Sequence, residues 1–139
     1  MSLGRSTVPS RSRRWASRGR QSTPLTYDPT NVFARILRRE IPTQFVHEDE
    51  HCVAFRDIAP QAPLHLLVIP KRPIRSLADA TVRDAALLGH LLLTGHALAA
   101  KLGHPEARVV VNNGASAGQS VFHLHVHVLA GRPLAWPPG

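Results

Sequence analysis

His123, His125 and His127 occupy every second position of the segment "FHLHVHVL". Successive side chains of a β-strand point to opposite faces, so the three imidazoles share one face and Leu124, Val126 and Val128 share the other. The apolar set can pack on a helix. The histidines are then left on the open face, or in a pocket on it, where His65 can join them if its strand is adjacent. A neutral imidazole is a good nucleophile toward phosphorus and leaves readily afterwards. One ring nitrogen must be unprotonated and aimed at phosphorus, while the other donates the hydrogen bond that fixes the tautomer. The middle ring, His125, is best placed. His123 and His127 on either side can contact the same phosphate or protonate a leaving group near neutral pH.

Two plainer readings compete. His at i and i+2 is a zinc-ligand spacing, but His123 and His127 stand about 13 Å apart along a strand. Ligands sit about 2 Å from the ion, so all three on one metal is strained, although two plus His65 is conceivable. The other reading is surface decoration. The chain has nine histidines, and His47, His51, His90, His96 and His104 are assigned to that class.

The residues just before the triad favour an anion. In "NNGASAGQS", Gly114, Ala115, Ala117 and Gly118 let the backbone approach closely, and successive N–H groups in such a turn make an anion-binding concavity. Asn112, Gln119 and Ser120 add side-chain donors.

The elements that position these groups follow from periodicity. "NVFARILRRE" places Val32, Phe33, Ile36 and Leu37 on one helical face, capped by Asn31 or Thr30. "QFVHED" and "CVAFRDI" read as strands joined by a turn at Asp49–Glu50. "LHLLVIP" is a third strand, apolar enough to be buried on both faces. Residues 82–102 carry a long helical pattern through Val82, Ala86, Leu87, Leu91, Leu98 and Leu102, stopped by Gly103. "ARVVVNN" and "FHLHVHVLA" are the fourth and fifth strands. Three strands, a helix and two strands make an α+β fold with an antiparallel sheet, a meander with a crossing helix.

The chain has 139 residues, one domain's length, and 43% apolar residues, enough for a core. Its net charge of +8 is unevenly placed. Residues 1–27 carry six arginines and no acid, which leaves 11 basic and 9 acidic residues in the body. The high charge describes a tail, and nothing in the body is a groove-reading nucleic-acid element. Cys52 is the sole cysteine, which excludes an internal disulfide and a multi-cysteine zinc site. Its run "CVAF" makes a buried thiol the expectation. No apolar run approaches the roughly 18–20 residues of a membrane span. The Arg- and Ser-rich tail, residues 1–29, resembles a mitochondrial presequence, although Gly4, Pro9 and Gly19 weaken an amphipathic helix. The bland alternative is an unstructured extension. The expected compartment is the cytoplasm, or the mitochondrion if residues 1–27 act as a presequence.

These residues also resemble a known family. "HLHVHVL" is similar to the histidine triad (HIT) signature. "FRDIAPQAPLHLLVIPK", "GQSVFHLHVHVL" and the terminal "WPPG", in that order, resemble its histidine triad nucleotide-binding (HINT) branch. The resemblance runs from about Phe33 to Gly139 and sets residues 30–139 as a HIT domain. It implies a five-stranded antiparallel sheet with one long and one short helix, paired into a ten-stranded sheet in a homodimer. It also implies hydrolysis of purine nucleoside 5′-phosphoramidates through a nucleotidyl-histidine. In that reading His125 is the nucleophile, His123 and His127 the flanking triad members and His65 the upstream fourth histidine; Ser120 or His127 is the expected proton donor to the leaving amine. Asp57 matches the ribose ligand and Ile58 the adjacent nucleoside contact. Asn112, Gly118, Gln119 and Ser120 match the phosphate-binding set. Val32, Phe33, Ile36, Phe55 and Leu67 fall where the family builds its base slot, and Trp136 where a tryptophan reaches the leaving group across the dimer. Phe122, Asn113 and Ala130 depart from tyrosine, an acid and glycine at those positions.

No metal, cofactor, specific nucleic acid or membrane is expected. The rival functions are a dinucleoside polyphosphate hydrolase on the same scaffold, a nucleotide-binding scaffold protein with little turnover, and a zinc protein.

Overall fold

The computed structural model describes residues 26–139, so nearly all of the expected tail lies outside the described residues. The short helix α1, Val32–Leu37, is capped by Asn31, whose side chain accepts from the Ala34 amide. It turns Phe33 and Ile36 inward and leaves Val32 39% exposed. The strands are β1 Phe45–Glu48, β2 Cys52–Arg56, β3 Leu64–Pro70, β4 Arg108–Val110 and β5 Val126–Ala130. β1, β2 and β3 fall where the sequence pattern puts them, β4 is shorter than expected and β5 begins four residues later, and β3 is buried along its whole length.

The expected helix over 82–102 is in two pieces. Val82–Asp84 is a 3₁₀ turn, fastened by a Thr81–Asp84 capping box, and α2 runs from Ala85 to Lys101. Val82 and Ala86 are therefore exposed. The buried stripe is Leu91, Thr94, Gly95, Leu98 and Ala99, a helical spacing that starts one turn later than expected. The helix ends in a Schellman pattern: the Gly103 amide donates to Ala100 O and the His104 amide to Ala99 O. Gly103 takes φ +95° there.

All strand pairs are antiparallel, in the order β1-β2-β3-β5-β4. The first three strands form the expected meander. The helix then carries the chain past the place beside β3 to the outer edge, and β5 returns to fill it. Cross-strand partners share a face. One row is Phe45, Phe55, Leu67 and His127; the other is His47, Ala54, Val68 and Val126. The second face packs under α2 with Leu66, Leu91, Leu98, Leu124 and Val128. The helix lies close there: a Cβ on Gly95 would meet Val128 Cγ2 at 2.8 Å. The first face is covered only in part, by Phe33 and Ile36 of α1 over Val53, Phe55, Leu67 and Ile69. Among the described residues no helix is long and apolar enough to cross a membrane.

Candidate active site

The histidine segment is only half a strand. Ladder pairing begins at Val126, and His123–His125 precede it without regular structure. The alternation nonetheless holds, because Leu124 is drawn into the helix-side core. Irregular backbone here has a use: the His123 carbonyl is free of the ladder and accepts from His125 Nδ1 at 2.8 Å.

The tautomers follow from the partners. His125 donates through Nδ1, so its Nε2 carries the lone pair. Among the described residues nothing bonds that Nε2, and the ring stands edge-on to Phe33 with centroids 4.9 Å apart. The Gln61 amide donates to His65 Nδ1 at 3.0 Å. His65 must then be protonated at Nε2, which lies 2.8 Å from His127 Nδ1 and 3.4 Å from Asp57 Oδ2. His127 Nδ1 accepts, and its Nε2 carries a proton. The site thus sets a nucleophilic nitrogen on one ring beside an N–H donor on the next, with centroids 5.0 Å apart.

His123 does not face a substrate. It is fully buried, with Nε2 donating to Pro70 O at 2.8 Å and Nδ1 accepting from the Tyr27 hydroxyl at 2.6 Å. The expected phosphate contact from this ring is corrected to a supporting role: both nitrogens are taken and His125 stands in front of it. Tyr27 was not singled out in the sequence, because its partner lies 96 positions away.

Burial favours the uncharged form of all four rings. It lowers His123 and His125 against the carbonyl bonds that favour their charged forms. It lowers His65 against the pull of Asp57. His127 falls to about 4, through burial first and then repulsion from His125 and His65.

His125 and His127 open into a cleft of about 240 Å³. Its walls are Val32, Phe33, Ile36, Phe55, Asp57, Ile58, Leu67, Ser120 and Val121. Every expected base-slot residue is there, and Val121 joins them from the loop. Ile58 is fully exposed at the rim. Asp57 Oδ1 accepts from the Ala59 amide, and its carboxylate keeps lone pairs for further donors. A roomier depression, lined by Gly103–Arg108 and Gly131–Leu134, holds no triad residue.

The loop differs from its expected role. The Ala117, Gly118 and Gln119 amides donate back to Gly114 O, Ala115 O and Gly114 O, so these N–H groups do not form an open anion cradle. Gly118 serves by its left-handed φ of +102° and its closeness to the Asn112 side chain. Gln119, 4% exposed, accepts from Gly114 N and donates to Arg75 O and Val121 O. Its amide braces the loop, a correction to the expected phosphate donor. Ser120 is the loop side chain on the cleft wall. Asn113 Oδ1 accepts from the Ala78 amide, and Trp136 is 81% exposed, away from the cleft walls.

Asp57, His65 and His127 present ligand atoms within 4.8 Å of one another and could hold an ion. A second convergence, His47, Asp49 and Cys52, lies on the opposite face of the sheet.

Two adjacent imidazoles, His125 buried and His127 half-buried, on a five-stranded sheet with an adjoining apolar cleft define a histidine-triad site. The HIT domain model matches residues 38–134, and the chain belongs to the HIT family. It is 60% identical over 109 residues to an uncharacterized HIT-like protein of Synechococcus elongatus, covering 78% of this chain and 96% of that protein. It is 47% identical over 115 residues to a 14 kDa zinc-binding protein of Zea mays, covering 81% and 90%. The crystal structure of a HIT family hydrolase from Legionella pneumophila superposes with TM-score 0.77 at 44% identity, over 79% of this chain and all of that one. A HIT family hydrolase from Clostridium thermocellum gives 0.73 at 37%, over 76% and 94%.

Proposed function

We propose that this protein is a purine nucleoside phosphoramidate hydrolase of the HINT branch, working through a nucleotidyl-histidine and needing no cofactor. The observation that carries the reading is His125 Nε2, a lone pair held on an uncharged ring at the mouth of an apolar cleft. The purine lies between Val32, Phe33, Ile36, Phe55 and Leu67. Asp57 accepts from the ribose hydroxyls, and Ile58 closes the rim. His125 Nε2 attacks the α-phosphorus, and the bond to the amine breaks. The amine leaves with a proton delivered through Ser120 or His127 Nε2. Water then attacks phosphorus, cleaves the phosphohistidine bond and releases the nucleoside monophosphate. The His127 N–H and Ser120, both on the cleft wall, are assigned to stabilising the phosphoryl oxygens, and Asn112 to a further phosphate contact.

The reading includes a homodimer. β4 is an edge strand with Val109 40% exposed, and α2 leaves Leu92 and Leu93 44% and 70% exposed. A second copy paired edge to edge would cover that surface and bring Trp136 toward the partner's cleft. Sedimentation at micromolar concentration should give twice the chain mass.

The enzymatic test is steady-state kinetics on adenosine and guanosine phosphoramidates beside diadenosine polyphosphates. Phosphoramidates should turn over with the higher kcat/KM, and a radiolabelled adduct should be trapped on wild type and not on His125→Ala. Preference for the polyphosphates would shift the reading to the rival hydrolase, and an active His125→Ala would end it.

A further inference from the structure

Three potential metal ligands converge on the opposite face of the sheet, and a fourth, His90, reaches one of them. His47 Nε2 stands 2.7 Å from Asp49 Oδ2, and His90 Nε2, from α2, stands 2.8 Å from the same oxygen. Cys52 Sγ is 3.5 Å from it. The ligand atoms of His47, Asp49 and Cys52 all lie within 4.8 Å of one another. The donors come from β1, the β1–β2 turn, β2 and α2, so the cluster ties three strand-side residues to the helix. The turn is rigid: Asp49 Oδ1 accepts from the His51 and Cys52 amides, and the Asp49 amide donates to Cys52 O. His47, Asp49 and His90 are half-buried, and Cys52 is buried.

We propose that His47, Asp49, Cys52 and His90 form a binding site for a divalent transition metal of the zinc class, separate from the histidine cleft. Ligands about 2.0–2.3 Å from a zinc ion stand about 3.3–3.6 Å apart in a tetrahedron. The oxygen–sulfur distance already matches that value. The two imidazole nitrogens must each withdraw by about half an ångström from the carboxylate, and His90 Nε2, which touches Asp49 but stands outside the 4.8 Å group of the other three, must also swing in toward them, a movement open to a partly exposed side chain. Two imidazoles, a carboxylate and a thiolate suit zinc or cobalt and not calcium or magnesium, which take oxygen ligands. Binding replaces the Nε2 protons that now face Asp49 and the thiol proton of Cys52, so it releases protons and weakens at low pH.

The face of the sheet keeps this site apart from catalysis. His47 shares its row with Ala54, Val68 and Val126, whereas His127 shares its own with Leu67 and Phe55. The metal would stabilise the β1–β2 hairpin against the helix without touching His125.

Cobalt(II) is the probe, titrated into the full-length, reduced, chelator-stripped chain. Cys52 is the only cysteine, so a thiolate-to-cobalt charge-transfer band reports this cluster and no other. The band should saturate at one cobalt per chain. It should weaken at least about tenfold in affinity in His47→Gln and in His90→Gln, vanish in Cys52→Ser, and persist in His65→Gln. Circular dichroism of His47→Gln, altered at a half-buried position, checks that the fold is kept, and its phosphoramidate turnover should equal wild type. Absence of the band in wild type, or a band indifferent to both histidine substitutions, overturns the proposal and leaves the hydrolase reading untouched.

Discussion

The two faces of the sheet use the same strands and end in different chemistry. Under α2, seventeen helical residues close over Leu66, Val68, Val126 and Val128, and the packing is tight enough that Gly95 has no room for a methyl group. On the other face, a six-residue helix covers only part of the surface. The uncovered part is the cleft, and its floor is the histidine row. Half-coverage is what lets an imidazole be dry enough to stay uncharged and open enough to meet a substrate.

That contrast can be broken from either side. The largest effect belongs to the open face: His125→Ala should lower phosphoramidate kcat/KM by about 10⁴-fold or more, with unfolding midpoints little changed. On the closed face Leu66→Ala should cost about 2–5 kcal/mol in urea unfolding and leave KM unchanged. Equal loss of activity and stability in both variants would erase the distinction.

His65→Ala tests the boundary. It removes the N–H that fixes the His127 tautomer, and should lower kcat by about 10²-fold with KM nearly constant. A loss confined to KM would mean that His65 binds nucleotide directly.

The open face should also set the acid limit. Its imidazoles titrate lower when folded than the ordinary value near 6.5, His127 at about 4. Between those pH values the unfolded chain binds more protons than the folded one, so stability falls as pH drops from 6.5 toward 4 and is fully present above that window. Denaturant midpoints measured from pH 8 to 4 should follow this course. A midpoint that rises on acidification would contradict it. The smallest effect is at the rim: Val32→Ala should raise KM by a few-fold, less than the full value of two buried methyl groups because Val32 is 39% exposed, with kcat intact.

Much of this was legible in the sequence because it rests on local periodicity. β3 reads as a strand buried on both sides from a run in which only His65 is polar, and Asn31 reads as a cap from its place before Val32. The triad's shared face follows from alternation alone. What was not legible depends on partners far apart in the chain. Nothing near Tyr27 indicates that its hydroxyl reaches His123. Gln119 resembles a phosphate donor until both ends of its amide are found on loop backbone. His47 and His90, read as surface histidines, meet only because α2 is laid across the first hairpin. The Gly114–Gln119 loop has the composition of an anion cradle, but its turn consumes the amides that composition promised.

The phenol of Tyr27 has a practical corollary for anyone trimming this chain. A cut at the boundary that composition indicates, just before residue 30, would discard the hydroxyl and leave the inner nitrogen of a sealed imidazole with nothing to accept from. The shortest piece worth expressing therefore starts upstream of that tyrosine, even though every strand and helix of the described residues lies beyond it.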